Sequence, residues 1–493
     1  MKRGLVWSTA GVGINTIGAL IVTPALVRAL GVAGFGVYVL IMAISSYAGV
    51  LDLGLGWAAG RFFSRDFALG NGEALGERFA SVALLFMLVG VVAVTGSFTV
   101  GPAILRQAGA AVGSPGLALA IAGLGFAFSL QASLFGSLLR AADRFAAAQA
   151  PPVLGSLSVL TGSYVVAKSG GGLMSLIVLN AAVNAAVLVA VSVLSSPILQ
   201  GIGARLRWSV ARLREMAGFG GWSTANRVVT MLMLQVDRLA VSLVGSVTGL
   251  TYYAVPANVA SRVNVVGGTA ASLFFARASQ LAARGDWQEL SDQHARATRL
   301  LASVAVAAAV PLCALGPRFL GVWIGPEMER LGGPVLIPLV CGYAVISVSS
   351  LDAATLEGCG RPDLTAKAML GWAFPVIIAA LTGTKLFGFR AIAYGVAAWL
   401  IGVGVTTALL CRRRLRAQGA AGGKRSFWLR LGILAVFGWI GGTALVPPAS
   451  SLGLGLAALG LTGASVLLAA YFLLLERSEQ SWLRAAVMGS VRR

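Results

Sequence analysis

The sequence predicts an all-α integral membrane protein with about fourteen transmembrane helices. The chain of 493 residues is 57% hydrophobic and only 11% charged, with a mean hydropathy of +0.86. A soluble domain of this length needs far more charge to cover its surface. Apolar stretches of about 20 residues recur along the chain, and each is long enough to cross roughly 30 Å of hydrocarbon as a helix.

Each predicted helix follows one apolar stretch from end to end. The last two helices come after a run of basic residues and stand apart from the first twelve. The predicted spans are 5–28, 35–57, 79–100, 116–139, 151–167, 173–195, 217–243, 249–276, 299–316, 334–356, 368–386, 389–411, 427–446 and 451–475.

The charge distribution predicts the orientation of these helices. The formal net charge of +21 would suggest nucleic-acid binding in a soluble protein. If both termini are cytoplasmic, the inner segments hold 28 of the 38 Lys and Arg residues, and the outer loops hold seven. This bias follows the positive-inside rule, so we expect a bacterial cytoplasmic-membrane protein with both termini inside and no nucleic-acid partner.

An internal repeat divides the chain. The segment WSTA begins at Trp7 and again at Trp222, although Trp occurs only eleven times. The same shift aligns Gly34 in GFGVY with Gly249 in GLTYY. A shift of 213, instead of 215, aligns Gly72 with Gly285. Six helices separate the two copies, so the sequence predicts two parallel six-helix repeats and two extra C-terminal helices.

The repeat predicts the domain organisation. The segments are an N-terminal six-helix lobe, a cytoplasmic amphipathic connector, a C-terminal six-helix lobe, and a basic linker with two extra helices and a cytoplasmic tail, at 1–199, 200–216, 217–411 and 412–493. In the connector, Leu206, Val210 and Leu213 share one helical face with four arginines around it. Two similar bundles can enclose a cavity that rocking opens to each side in turn, which favours a transporter over a scaffold.

Three arginines fall within predicted helices, where a charge is costly unless it is paired or hydrated. Arg227 lies ten residues into the seventh helix, and Arg238 follows eleven residues later on the same face. Arg262 lies near the middle of the eighth helix. Guanidinium groups suit an anion, phosphate in particular, so we predict that all three bind substrate. For Arg238, an ion pair with the neighbouring Asp237 is an equal alternative.

Asp52, Asp237 and Asp352 are the candidate acids for ion coupling or for ion pairing. Asp52 lies about two turns from the inner end of the second helix, where it could bind a proton or cation or pair with Arg61. Asp352 repeats this situation at the inner end of the tenth helix, near Arg361. We favour ion pairing for Asp52 and for Asp352.

The sequence predicts neither an enzyme nor a cofactor or metal site. The four cysteines are scattered without metal or disulfide spacing and fit small buried residues. The only histidine, His294, stands among charged residues of a cytoplasmic segment, where we expect a solvated face. The segment around Lys424 lacks the first glycine of a phosphate-binding loop, and no serine or threonine directly follows Lys424.

Several motifs resemble those of bacterial polysaccharide flippases. The stretch ALGVAGFGVYVLIMAISSYAGVLDLGLGWAAGRFFSRDFALGNGE at 29–73 resembles the first-repeat signature of that family. The stretch LQVDRLAVSLVGSVTGLTYYAV at 234–255 is similar to its D-R helix and the following G-x-x-x-Y turn. LFFARASQLAARGDWQEL at 273–290 is similar to its inner loop, although Phe275 or Ala276 replaces the usual proline. The likeness, which includes FLGVWIG and EGCGRPD, covers about the first 410 residues.

On these motifs the chain is identified as a member of the O-antigen (Wzx-like) flippases, within the multidrug/oligosaccharidyl-lipid/polysaccharide exporter superfamily. The resemblance implies a MATE-like fold that moves a polyprenyl-diphosphate-linked oligosaccharide to the outer leaflet by alternating access. In the family a cationic cavity holds the diphosphate and sugar, a role that Arg227, Arg238 and Arg262 would fill here. The implied partners are the lipid-linked glycan, membrane lipids and other polysaccharide-assembly proteins.

Two alternatives stay open within the superfamily. A MATE-like cation-coupled drug exporter predicts an acidic cavity, whereas arginines outnumber acids in the middle of the predicted helices. A lipid II flippase also has fourteen helices, but that branch typically places an Arg-Asp cluster across helices 1 and 2. Here those helices offer chiefly Arg28 and Asp52, near opposite ends, so we rank lipid II below other glycans.

Overall fold

The computed structural model describes residues 2–46, 55–110, 112–203, 205–218, 221–419, 425–445, 451–473 and 480. Over these ranges the chain forms sixteen α-helices and no β-strand, so the predicted all-α fold is confirmed. Ten helices are long and apolar enough to cross a membrane, and a bent pair adds an eleventh span. The chain is therefore a multi-pass membrane protein.

Helices cover the fourteen predicted spans wherever the structure describes them. The helices are α1 Lys2–Ser46, α2 Leu55–Ala68, α3 Gly72–Thr99, α4 Gly101–Gln107, α5 Pro115–Ala141, α6 Phe145–Lys168, α7 Leu173–Gly201, α8 Val210–Gly218, α9 Gly221–Ser261, α10 Asn264–Arg284, α11 Trp287–Trp323, α12 Pro326–Gly358, α13 Pro362–Phe387, α14 Arg390–Ala417, α15 Arg425–Leu445 and α16 Leu452–Leu473. The short helix α4 lies outside the predicted spans, and α8 overlaps the seventh span only at residues 217 and 218. The first two predicted spans share α1, because the turn between them is a single non-helical residue.

The backbone repeats the shift that the two WSTA segments show. Gly31 interrupts α1 with φ 72° and ψ 167°, and Ser246 interrupts α9 with φ 81° and ψ 167°. Gly70 before α3 and Gly285 before α11 both have positive φ, 64° and 78°. The counterpart of Gly285 is therefore Gly70, and the predicted alignment of Gly285 with Gly72 at a shift of 213 is wrong by two residues.

The chain divides into two compact units, Met1–Thr251 and Tyr252–Arg493. In the first unit α5 is central and packs against α2, α3 and α7, while α1 packs against α6. In the second unit α12 is central and packs against α10, α11 and α14, while α15 and α16 lie on α11. Since α5 and α12 hold the same place in chain order, each unit is built around the same helix of the repeat. The finer four-segment division stays a prediction.

A self-complementary contact joins two repeated segments inside the first unit. The Thr251 hydroxyl donates a hydrogen bond to the Val32 carbonyl oxygen at 2.6 Å. A Cβ on Gly36 would collide with the Val247 carbonyl oxygen, so only glycine allows this approach. Val32 and Val247 are counterparts in the repeat, and so are Gly36 and Thr251. Each segment therefore contacts the other through equivalent positions, as in a two-fold contact.

The chain leading to α8 runs over a glycine face at the start of α3. A Cβ on Gly72 would collide with the Ile202 carbonyl oxygen, and one on Gly76 would meet the Arg205 backbone at 2.5 Å. Residues four apart lie on one face of a helix, so the two glycines form a continuous groove. Because it has no side chain, Gly72 allows the chain before α8 to approach α3 closely.

The connector helix starts later than the sequence predicts. Residues 205–209 follow the glycine groove without helical structure, and α8 begins only at Val210. Leu206 lies before α8, so the predicted helical face of Leu206, Val210 and Leu213 is wrong for Leu206. Val210 begins α8 and is exposed. Leu213 and Met216 instead pack against the core of the first unit.

Candidate functional site

Two of the predicted substrate-binding arginines lie on the first segment of α9. Arg227 is in this helix, and its side chain lies outside the described part of the structure. Arg238 is half-buried, and its backbone N–H donates to Asp237 Oδ1 at 2.7 Å. Both arginines precede the break at Ser246, so they share one helical segment as predicted. Their role in binding substrate stays a prediction.

Arg262 lies at a bend and not in the middle of a helix. The N–H groups of Arg262 and Val263 bond to carbonyl oxygens three residues earlier, the tighter spacing of a 3₁₀ turn. The helical segments on either side of this turn differ in direction by 42°. The Arg262 side chain is exposed, so its guanidinium group is open to a ligand.

Asp352 is buried and faces a histidine. Its carboxylate Oδ1 lies 3.1 Å from Nε2 of His294. The predicted pairing of Asp352 with Arg361 is wrong, because Arg361 binds Asp363 at 2.8 Å at the start of α13. The remaining candidate acid, Asp52, lies outside the described residues.

His294 is buried, so the predicted solvated face is wrong. Helix α11 begins at Trp287, well before the predicted start at 299, and this places His294 on a packed face of the helix. The imidazole is 7% exposed and its ring centroid lies 6.1 Å from that of Phe274. Cys411 Sγ lies 3.9 Å from His294 Nε2. We call His294, Asp352 and Cys411 the His294 cluster; their ligand atoms all lie within 4.8 Å of one another.

A buried arginine ties α8 to the first unit. Arg78 on α3 is 1% exposed and forms ion pairs with Asp66 on α2 and Glu215 on α8, the latter at 2.8 Å. Its guanidinium carbon lies 5.1 Å from the centroid of the Phe62 ring. The forked guanidinium suits this arrangement, because its two ends serve two carboxylates on different helices. We call Arg78, Asp66 and Glu215 the Arg78 cluster.

The contacts of α8 shift the pKa values of two of its charged groups. The hydrogen bond from Arg78 lowers the pKa of the Glu215 carboxyl below its ordinary value. The hydrogen bond to Glu77, at 3.0 Å, raises the pKa of Arg212. Because folded Glu215 binds its proton more weakly than the unfolded chain does, this pairing stabilises the fold above the unfolded pKa and is lost as the pH falls through the folded pKa.

The length of the match to one family model establishes the family of this chain. The family model described as "Polysaccharide biosynthesis protein" matches residues 25–329, which is more than half of the chain. The chain belongs to this polysaccharide biosynthesis family. The resemblance drawn from the sequence motifs is therefore confirmed.

Two relatives of this polysaccharide biosynthesis protein are membrane proteins of bacteria. The putative O-antigen transporter of Shigella flexneri is 20% identical over 391 residues, which cover 74% of this chain and 86% of that protein. The uncharacterized membrane protein EpsK of Bacillus subtilis (strain 168) is 25% identical over 338 residues. That match covers 66% of this chain and 65% of EpsK, so it spans less than two thirds of that relative.

Solved structures confirm the MATE-like fold of this family member. An inward-facing multidrug resistance MATE family transporter of the MOP superfamily aligns with a TM-score of 0.64 at 14% identity, covering 84% of this chain and 99% of that one. The lipid II flippase MurJ in an inward closed conformation aligns with a TM-score of 0.65 at 15% identity, covering 93% and 97%.

The polysaccharide biosynthesis protein also has an apolar cavity beside its extra helices. The cavity of about 420 Å³ lies between α11 and α16 within the second unit. Its walls are aliphatic side chains, prolines and glycines, including Pro311, Leu312, Gly463 and Leu467. A cavity without polar groups suits a hydrocarbon chain.

Sequence reasoning missed both charged clusters of this family member. Arg78 lies at the edge of a predicted span, where the charge pattern groups it with the inner loop. The members of the His294 cluster are separated by more than fifty residues on three helices, so no short motif connects them. The signal that could have identified His294 was its burial. That burial follows once α11 is extended back to Trp287, because His294 then lies on a packed helix face.

Proposed function

We propose that this chain flips a polyprenyl-diphosphate-linked oligosaccharide from the cytoplasmic to the outer leaflet of the bacterial cytoplasmic membrane, for surface polysaccharide biosynthesis. The observation that carries this function is the duplicated helical bundle in a member of the polysaccharide biosynthesis family, with backbone breaks at Gly31 and Ser246. Duplicated bundles are the architecture of alternating-access transporters, in which one half rocks against the other around a fixed site.

The arginines of the second repeat are the proposed ligands of the diphosphate. A guanidinium group donates two parallel hydrogen bonds to phosphate oxygens and keeps its charge at every physiological pH. Arg262 supports this role because its side chain is exposed at the bend between α9 and α10. Arg227 and Arg238 complete the proposed set, with Asp237 fixing the backbone at Arg238.

The lipid tail of the substrate has a separate requirement, which is an apolar path. The cavity between α11 and α16 offers one, since its lining contains no charged side chain. We infer that a polyprenyl chain lies there while the headgroup crosses. We propose that both termini lie in the cytoplasm, on the positive-inside bias of the Lys and Arg residues alone. Other polysaccharide-assembly proteins are the proposed partners.

A deletion strain gives the direct test of the proposed function. Lipids are extracted from the deletion strain and from the complemented strain, and polyprenyl-diphosphate oligosaccharides are identified by mass spectrometry. We expect a completed glycan unit to accumulate and the surface polymer to be lost. An unchanged lipid pool together with new sensitivity to cationic compounds would overturn the proposal and favour the drug exporter.

Charge reversal tests the proposed diphosphate ligands. Arg227→Glu and Arg262→Glu should each abolish glycan display at unchanged protein level, because a carboxylate repels the diphosphate. Arg284→Glu is the matched control, since Arg284 is an exposed arginine in the last turn of α10. Wild-type display in both test variants would remove these arginines from the substrate site.

A lipid II cargo is the second candidate. The alignment with MurJ covers 93% of this chain, compared with 84% for the MATE transporter, and this larger coverage favours it. The same lipid extraction separates the two cargoes. Accumulated lipid II with intact surface polymer would identify lipid II as the substrate, whereas an accumulated oligosaccharide unit would exclude it.

A further inference from the structure

The His294 cluster lies where three helices of the second unit meet. His294 is in the second turn of α11, while Asp352 and Cys411 lie near the C-terminal ends of α12 and α14. Asp352 is 4% exposed and Cys411 is fully buried. The surroundings are apolar: Leu290, Leu356 and other core residues pack around Cys411. Three different metal-ligating groups therefore converge in a largely hydrophobic setting.

The first repeat shows what the fold itself requires at this place. The starts of α3 and α11, the ends of α5 and α12 and the ends of α7 and α14 align the repeats at shifts of 215, 217 and 216 residues. The counterparts of the cluster are therefore Phe79, Phe135 and Ser195. Phe79 and Phe135 pack edge to face, with ring centroids 5.1 Å apart. Ser195 is fully buried and donates to the Val191 carbonyl. The same backbone position is thus stable with an aromatic pair, and the polar groups of the second repeat serve another purpose.

The distances within the cluster fit a tetrahedral metal ion. Zinc-type ions bind nitrogen and oxygen at about 2.0–2.1 Å and sulfur at about 2.3 Å, which at tetrahedral angles separates N from O by about 3.3 Å and N from S by about 3.6 Å. The observed separations are 3.1 Å between His294 Nε2 and Asp352 Oδ1 and 3.9 Å between His294 Nε2 and Cys411 Sγ. The ligand atoms of Asp352 and Cys411 lie within 4.8 Å of each other, so shifts of up to about an ångström bring the three atoms onto one ion.

We propose that His294, Asp352 and Cys411 bind a divalent transition-metal ion of the Zn²⁺ type. Imidazole and thiolate select such an ion over Mg²⁺ or Ca²⁺, which prefer oxygen ligands throughout. A thiolate and a carboxylate balance its two positive charges, so the occupied site is neutral within its apolar surroundings. The ion would join α11, α12 and α14 and leave a fourth position for water. This site is independent of the proposed transport function.

Cobalt is the probe that reports thiolate coordination directly. The full-length protein is purified in detergent, stripped of metal with a chelator and titrated with Co²⁺ while absorption is recorded. We expect one equivalent to bind, with the intense visible bands of a four-coordinate ion and a sulfur-to-cobalt charge-transfer band. Excess Zn²⁺ should displace the cobalt and remove both signals.

Two cysteine variants separate this site from the other thiols. Cys411→Ser places the residue of the first repeat at the same position, so it should fold while losing the charge-transfer band and at least about 100-fold in affinity. The double variant C313S/C341S is the matched control, because those two sulfurs lie 4.0 Å apart and could bind cobalt themselves. It should retain the wild-type spectrum and affinity.

Thermal unfolding supplies a second measurement. Saturating Zn²⁺ should raise the Tm of the wild type and of C313S/C341S by several degrees, because the ion binds only the folded state. Cys411→Ser and Asp352→Asn should show no such rise. Absence of stoichiometric binding by metal-stripped wild type, or equal Co²⁺ spectra for the wild type and Cys411→Ser, would overturn the proposal.

Discussion

The two repeats place different side chains at equivalent positions of their backbones. At equivalent positions the first repeat packs Phe79 against Phe135, and the second places His294 beside Asp352. Near these residues the helices match in the repeat: α3 and α11 start at Gly72 and Trp287, and α5 and α12 end at Ala141 and Gly358. The duplicated architecture therefore fixes where side chains meet, and it leaves open whether they meet as apolar or as polar groups.

At Arg78, the residue before Phe79, the first repeat is the one that carries the buried charges. In the first repeat Asp66 pairs with the buried Arg78, which also holds Glu215. At the equivalent positions the second repeat has Leu281, which is buried in an apolar cluster, and Gln293. The first repeat therefore buries an ion pair where the second buries Leu281. The counterpart of Arg78, Gln293, hydrogen-bonds Arg277 and Glu289 near the surface. The two copies have kept their packing and have specialised in different chemistry.

Among the variants that test this difference between the repeats, Arg78→Ala is expected to lower the unfolding free energy most. Removing the guanidinium leaves the buried Asp66 carboxylate with only the exposed Arg65, at 3.6 Å, and this should cost about 3–5 kcal/mol of unfolding free energy. Denaturant unfolding in detergent measures this loss. Arg65→Ala is the control: Arg65 is an exposed member of the same ion-pair network and should cost no more than about 1 kcal/mol. Equal losses in the two variants would show that burial does not distinguish them.

A second comparison pairs Phe79→Ala with His294→Ala. Phe79 is buried between Phe63 and Phe135, so its truncation opens a cavity and should cost about 3–5 kcal/mol. His294→Ala in metal-free protein removes mainly a hydrogen bond and should cost about 1–3 kcal/mol. Thermal or denaturant unfolding of both variants measures the difference. A greater loss for His294→Ala without metal would mean that the second repeat depends on its polar pair for packing.

The smallest expected effect concerns the repeated backbone break. Ser246 adopts a positive-φ conformation that favours glycine, whereas the first repeat has Gly31 at this position. Ser246→Gly should therefore raise the unfolding free energy by about 1 kcal/mol, and Gly31→Ala should lower it by at least that amount. Both shifts are visible in Tm. A loss of stability in Ser246→Gly would show that the serine side chain contributes more than its backbone costs.

Much of the fold could be predicted from apolar runs and one repeated tetrapeptide. The spans, the repeat and the two extra helices follow from hydrophobicity, which is a property of each segment alone. The start of α8 could not be predicted in this way, because residues 205–209 follow a groove made by Gly72 and Gly76, far away in sequence. The position of Arg262 at a bend likewise depends on a local turn that hydrophobicity does not detect.

The candidate site is less accessible to the same reasoning. Arg227 and Arg238 are predicted as substrate ligands because charges stand out in apolar helices, and this role stays a prediction. His294 is missed because its sequence neighbours are polar, and burial on α11 depends on what packs across from it. Sequence distance pairs Asp352 with Arg361, whereas Asp363 lies nearer to that arginine. Partners across helices are set by tertiary packing, which sequence distance does not measure.

The attachment of α8 also has a consequence for the order in which the protein is made. The chain before α8 packs on Gly72 and Gly76, and α8 itself pairs with Arg78. All three residues are synthesised before α8. Every residue of the Arg78 cluster is therefore present in the nascent chain once the ribosome has passed residue 218. N-terminal parts of a chain fold first during synthesis. The first repeat can thus pack α8 against itself while the second repeat is still being translated.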